Sequence, residues 1–155
     1  MSTTSNPPTA AAADDEIVTM RIFPAPREQI FQAFSDPAIL AQWWGPKDFT
    51  NVFEVFDLKP GGEWHLVMRS PTGTEYPNEL KFVEVARPSR VVFEHLGPMH
   101  WYEMTMTLDE EAGGTRLTWR MRFESVEEAQ KVRQFVAIAN EQNFDRLHAC
   151  LAKMA

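Results

Sequence analysis

The sequence predicts an α+β domain in which a curved antiparallel sheet of about seven strands wraps around one long C-terminal helix. Three observations carry that prediction. From Ser125 to Met154 there is neither Gly nor Pro, and Ala129, Val132, Val136, Ala139, Asn143, Leu147, Cys150 and Leu151 recur at steps of three and four, which puts them on one helix face. From Asn51 to Phe123 the apolar period is two instead, in six runs broken by turn-forming residues. The connections between those runs are short, so each strand should lie antiparallel beside the next.

Residues 1–15, MSTTSNPPTAAAADD, have no periodicity and predict a flexible tail, leaving residues 16–155 as a single domain. Glu16 to Phe23 alternates and is ended by Pro24. Pro26 suits the first turn of a helix reaching about Phe34, with Ile30, Phe31 and Phe34 inward. Asp36 then caps a second short helix with Pro37 at its first position, carrying Leu40, Trp43 and Trp44 and closed by Gly45-Pro46. The expected strands are 52–58, 63–69, 79–85, 91–95, 102–108 and 115–123. Trp64, Leu66 and Met68 share one face of the second run, and Leu117, Trp119, Met121 and Phe123 share one face of the last. Ser125 followed by Glu128 predicts a capping box at the start of the long helix. One helix laid across a strongly twisted sheet cannot fill the hollow beneath it, so a cavity is expected.

Bulk properties exclude several partners. At 155 residues, 44% hydrophobic and 24% charged, the chain has the composition of a single globular domain. Its net charge of −7 argues against nucleic acid and against anionic membrane surfaces. Cys150 is the single cysteine, so no internal disulfide forms; its place on the apolar helix face marks a core thiol. No apolar run approaches the roughly 18 residues that span a bilayer, and the start of the chain lacks the pattern of a signal peptide. The expected location is the cytoplasm, and neither a metal nor another cofactor is expected, because no His, Cys or carboxylate pair has ligand spacing.

Several stretches carry a family resemblance: Pro24-Ala25-Pro26 with Ile30-Phe31 and Phe34, Trp43-Trp44-Gly45-Pro46, Gly61-Gly62 with Trp64 and Met68, and Tyr76-Pro77-Asn78. Pro88 to Phe93, Gly114-Thr115-Arg116-Leu117-Thr118 and Phe144-Asp145-Arg146-Leu147 complete the set. In order and spacing these resemble the START-like (SRPBCC) domains of the helix-grip superfamily, which includes the birch-pollen-allergen fold and polyketide cyclases. Within it the chain is similar to the branch named after the activator of the heat-shock 90 ATPase. The resemblance implies the helix-grip fold and a deep pocket between the C-terminal helix and the sheet that in relatives often takes an apolar ligand. The usual Gly-Trp pair upstream of Phe144-Asp145-Arg146-Leu147 stands here as Ala139-Asn140, so a bulky aromatic is missing from the helix.

The expected cavity wall is Trp64, Leu66, Met68, Phe82, Phe93, Trp119, Met121 and Phe123, closed at one end by Trp44 and faced by Val136, Asn140 and Asn143 from the helix. Asn143 lies near the middle of the apolar stripe. Its amide either points into the cavity or bonds a neighbouring strand or a buried water, since leaving it unpaired costs on the order of 1–3 kcal/mol. Trp119 is expected to line the hollow; if it is instead close-packed, truncation to Ala costs about 3–5 kcal/mol. No catalytic set is predicted. His95, in phase with Phe93, and Glu103 on the next strand are the nearest to one, as a general base with an orienting carboxylate. Three functions stay open: binding of a small apolar molecule (a lipid, an aromatic or a polyketide-like metabolite), a cyclase- or aldolase-type enzyme in the same cavity, and a chaperone-interacting module. A homodimer is a further expectation, from exposed sheet edges and the Trp101-Tyr102 pair.

Overall fold

The computed structural model describes residues 12–154; the tail expected over residues 1–15 lies outside the described residues as far as residue 11. The elements are β1 (Glu16–Phe23), α1 (Arg27–Ser35), α2 (Pro37–Trp43), β2 (Thr50–Phe56), β3 (Glu63–Arg69), β4 (Glu75–Ala86), β5 (Arg90–Gly97), β6 (Tyr102–Glu111), β7 (Gly114–Phe123) and α3 (Val126–Met154). All seven strands form one antiparallel sheet in the order β1-β7-β6-β5-β4-β3-β2. The hairpin succession from β2 to β7 follows from the short turns. β1 returns to pair with β7, Glu16 opposite Arg122 and Phe23 opposite Thr115, a contact that chain order alone does not specify.

Residues 13–15, expected in the tail, are held to the domain. Glu16 donates its N–H to the Ala13 carbonyl, Phe123 donates to Asp15, and the Arg133 guanidinium donates to the carbonyls of Asp14 and Glu16 at 3.0 Å each. The helix starts follow their caps. Asp36 accepts from the Ala38 N–H at 3.0 Å with Pro37 in the first turn, and Ser125 Oγ accepts from the Glu128 N–H at 3.1 Å. The capping box is only half formed, because the Glu128 carboxylate turns away to the His100 ring at 2.8 Å. β4 begins four residues earlier than its alternation indicates, since Pro77 masks the pattern. Opposite β5 the ladder starts only at Glu79–Gly97, so Tyr76-Pro77-Asn78 pair with β3 alone, and a strand bonded on one side tolerates proline.

The interior divides into two halves. Beneath α1 and α2 it is filled with rings: Phe34 meets Trp44, Phe56, Trp64, Phe82 and Phe93 at centroid distances of 5.7–6.5 Å, mostly edge to face. The C-terminal half of α3 seals against this block through Phe144 and Leu147, both fully buried, and through Leu151. The N-terminal half of α3 packs loosely. Ala129 is buried, but Val132, Val136 and Ala139 are only half-buried, and their small side chains leave a gap above β6 and β7. Arg21, on the inward face of β1, ties that strand to α3 through Glu141 at 2.6 Å and Asp145 at 2.9 Å.

Candidate ligand cavity

The gap is a two-lobed cavity. Its outer lobe, about 310 Å³, lies between the N-terminal half of α3, the β5–β6 loop and the start of β4 that pairs with β3 alone. Its inner lobe, about 110 Å³, runs from there to the Trp44-Gly45-Pro46 turn. Asn78, His95, Tyr102, Met121, Ala139 and Asn140 line both, so they form the waist where the lobes join. A drug-sized ligand site is typically about 300–1,000 Å³ with mostly apolar walls and a few placed polar groups. The outer lobe reaches that range. Met99 and Phe135 stand at its mouth, 79% and 69% exposed, which is unusual for large apolar side chains without a partner.

The inner end is held rigid from behind. Asn143 donates through Nδ2 to the Trp43 carbonyl at 2.7 Å and accepts from the Gly45 N–H at 3.1 Å. The Arg146 guanidinium donates to the carbonyls of Gln42, Trp44, Gly45, Pro46 and Phe49 at 2.9–3.0 Å, five acceptors gathered by one planar fork. Burial lowers the Arg146 pKa, against the opposing charge of Asp48; the group stays charged, its two terminal nitrogens engaged with backbone. Gly45 sits at φ +98°, a left-handed conformation that favours glycine, and a Cβ there would also displace the Met68 methyl, 2.8 Å away.

The waist carries the polar groups. His95 is buried, its ring stacked on Tyr102 at 4.8 Å and 8°. Its Nδ1 lies 2.7 Å from the His100 carbonyl and its Nε2 2.6 Å from Asn78 Oδ1. Burial pushes its pKa below the ordinary 6.5, with the His100 carbonyl acting in the opposite sense. A neutral ring has one hydrogen, which belongs on Nδ1 facing the carbonyl. Nε2 then presents a lone pair, and the Asn78 amide must turn its nitrogen toward it, giving up its bond to the Tyr76 carbonyl. Tyr102 is enclosed enough that burial pushes its phenol pKa well above the usual range, which keeps it a neutral O–H. Asn140 donates to Thr19 Oγ1 at 3.0 Å and to the Met121 sulfur at 3.5 Å.

The expected site residues divide by place. Trp44, Leu66, Met68, Trp119 and Asn143 line the inner lobe, Phe123 and Val136 the outer, and His95, Met121 and Asn140 both. Trp64, Phe82 and Phe93 line neither lobe: each is at most 1% exposed and belongs to the ring-packed block. Trp119, although it borders the inner lobe, is 2% exposed and packed against Trp43, Trp44 and Phe144. The His95–Glu103 pair does not exist. His95 faces Tyr102 across the ladder, one residue out of phase with Glu103, which lies on the opposite face beside Arg122 at 3.4 Å. Tyr102 likewise faces the cavity, while the Arg122 guanidinium stands over the Trp101 ring at 5.1 Å. Sequence reasoning missed Asn78, Tyr102 and the Pro98-Met99-His100 loop as lining; strand phase matched to His95 across the ladder would have placed Tyr102 inward.

The family model described as activator of Hsp90 ATPase homolog 1-like protein matches residues 24–152. Among solved structures, a protein of Nitrosomonas europaea is 22% identical with a TM-score of 0.84, over 95% of this chain and 100% of that one. One from Rhodobacter sphaeroides is 22% identical with a TM-score of 0.85, over 94% and 97% of the two chains. One from Mycobacterium smegmatis is 25% identical with a TM-score of 0.81, over 92% and 94%. The comparison with curated proteins finds no match. The likeness to these structures is one of fold, the helix-grip arrangement, which in general suits a hydrophobic ligand-binding domain. Among the described residues no helix is long and apolar enough to cross a membrane.

Proposed function

The chain belongs to the family of activator of Hsp90 ATPase homolog 1-like proteins, and from that premise we propose that it binds a small, largely apolar molecule beneath the N-terminal half of α3. The observation that carries this reading is the two-lobed cavity with apolar walls and a polar waist, in a molecule whose other half is packed solid with rings. Burial of a ligand's apolar surface stabilises binding by about 25 cal/mol per Å² before the cost of immobilisation, so a ring system filling both lobes has ample driving force. The cyclase or aldolase alternative loses its proposed base pair, since Glu103 stands on the other side of the sheet. A chaperone contact rests on the family's description alone.

The test is a substitution that fills the waist without disturbing the packed half. Ala139 lines both lobes and is half-buried. Ala139→Phe is expected to weaken binding of naphthalene, followed by tryptophan fluorescence, by at least about tenfold, the scale of one lost aromatic contact area. Unchanged affinity in that variant, with its melting temperature preserved, would place any binding elsewhere.

A further inference from the structure

The walls of both lobes contain Trp, Tyr, Phe, Met, Leu, Val, Pro, Ala, Gly, Asn and His, and among the described residues neither lobe is lined by Lys, Arg, Asp or Glu. The cation behind the inner lobe, Arg146, has its guanidinium engaged by five backbone carbonyls. Both nitrogens of His95 face protein atoms, and His100 is turned to Glu128. An anion entering this space would lose its water and meet no free positive charge, a cost that ordinary apolar contact does not offset.

Two polar groups at the waist are differently placed. Asn140, 7% exposed, donates through its amide nitrogen to Thr19 and Met121, and its Oδ1 accepts no hydrogen bond among the described residues. The Tyr102 hydroxyl has no partner among the described residues either, although its ring is fixed between His95 and Phe123 at 4.8 and 5.6 Å. One is an acceptor; the other both donates and accepts. We propose that the cavity selects a neutral ligand carrying a hydroxyl group, which donates to Asn140 Oδ1 and accepts from the Tyr102 O–H, and rejects the corresponding carboxylate. This inference rests on the reading that the cavity binds an apolar molecule and names the ligand class for it. A carboxylate accepts from Tyr102 but sets its charge against the Asn140 oxygen, whereas a plain hydrocarbon leaves both groups unpaired.

Three probes of one shape test it: naphthalene, 2-naphthol and 2-naphthoate, titrated at about pH 8, where the naphthol is neutral and the naphthoate ionised. The naphthoate is expected to bind at least about tenfold more weakly than the naphthol, a comparison that needs no variant. Tyr102→Phe is expected to weaken naphthol binding about five- to tenfold relative to naphthalene in the same variant; Asn140→Ala acts in the same direction. Naphthoate binding as tightly as naphthol overturns the inference, as does naphthol affinity that is indifferent to both substitutions while naphthalene still binds. If naphthalene itself does not bind, the cavity reading falls first and the ligand class falls with it.

Discussion

Asn140 and Asn143 stand one turn apart on the same face of α3, and their amides serve different ends. Asn143 is closed at both its atoms by the Trp43–Gly45 turn, so replacing it with Leu removes two buried bonds and is expected to lower stability by about 1–3 kcal/mol in urea denaturation. That position is legible in the sequence as a polar residue in an apolar stripe. Its partner is not, because the bonds cross about a hundred residues of chain, and only the folded geometry brings α2 to α3. His95 gives a second prediction at this scale. Its folded pKa lies below 6.5, so the unfolded chain binds the proton more readily; its contribution to stability is complete above 6.5 and is lost as pH falls from there through the folded value. Nitrogen NMR of the ring is expected to show a neutral Nδ1–H tautomer at neutral pH, and the melting temperature should drop on acidification less steeply in His95→Gln. A doubly protonated ring at neutral pH would contradict this.

Elements owe their boundaries to local chemistry, and there the sequence was most informative. Asp36-Pro37, Ser125 and the alternation of 115–123 define α2, α3 and β7 within a residue or two. β4 was harder, because Tyr76-Pro77-Asn78 look like a loop until the missing β5 neighbour is known. That omission hid part of the polar waist of the cavity, since Asn78 lies in it. The α2–β2 connection is the element most dependent on one side chain. Arg146→Lys keeps the charge but replaces a planar five-donor fork with a three-donor point, and is expected to cost roughly 2–3 kcal/mol, read as a lower urea midpoint. A loss no greater than that of an ordinary surface substitution would show that the turn stands without it.

At the scale of the molecule, the mismatch between a straight helix and a curved sheet is resolved unevenly. Large rings close the space under α1 and α2, while the small residues of α3 between Ala129 and Ala139 leave it open toward the β5–β6 loop. Apolar periodicity told which residues point inward but not how far apart the opposed walls stand, which is why Trp64, Phe82 and Phe93 were expected at a cavity they do not reach. The most direct measurement is a crystal structure under xenon pressure, since the gas occupies apolar voids without needing the correct ligand. Xenon density in the inner lobe, against Leu66, Met68 and Trp119, is the predicted result; an unoccupied interior with those three side chains in mutual contact would contradict it.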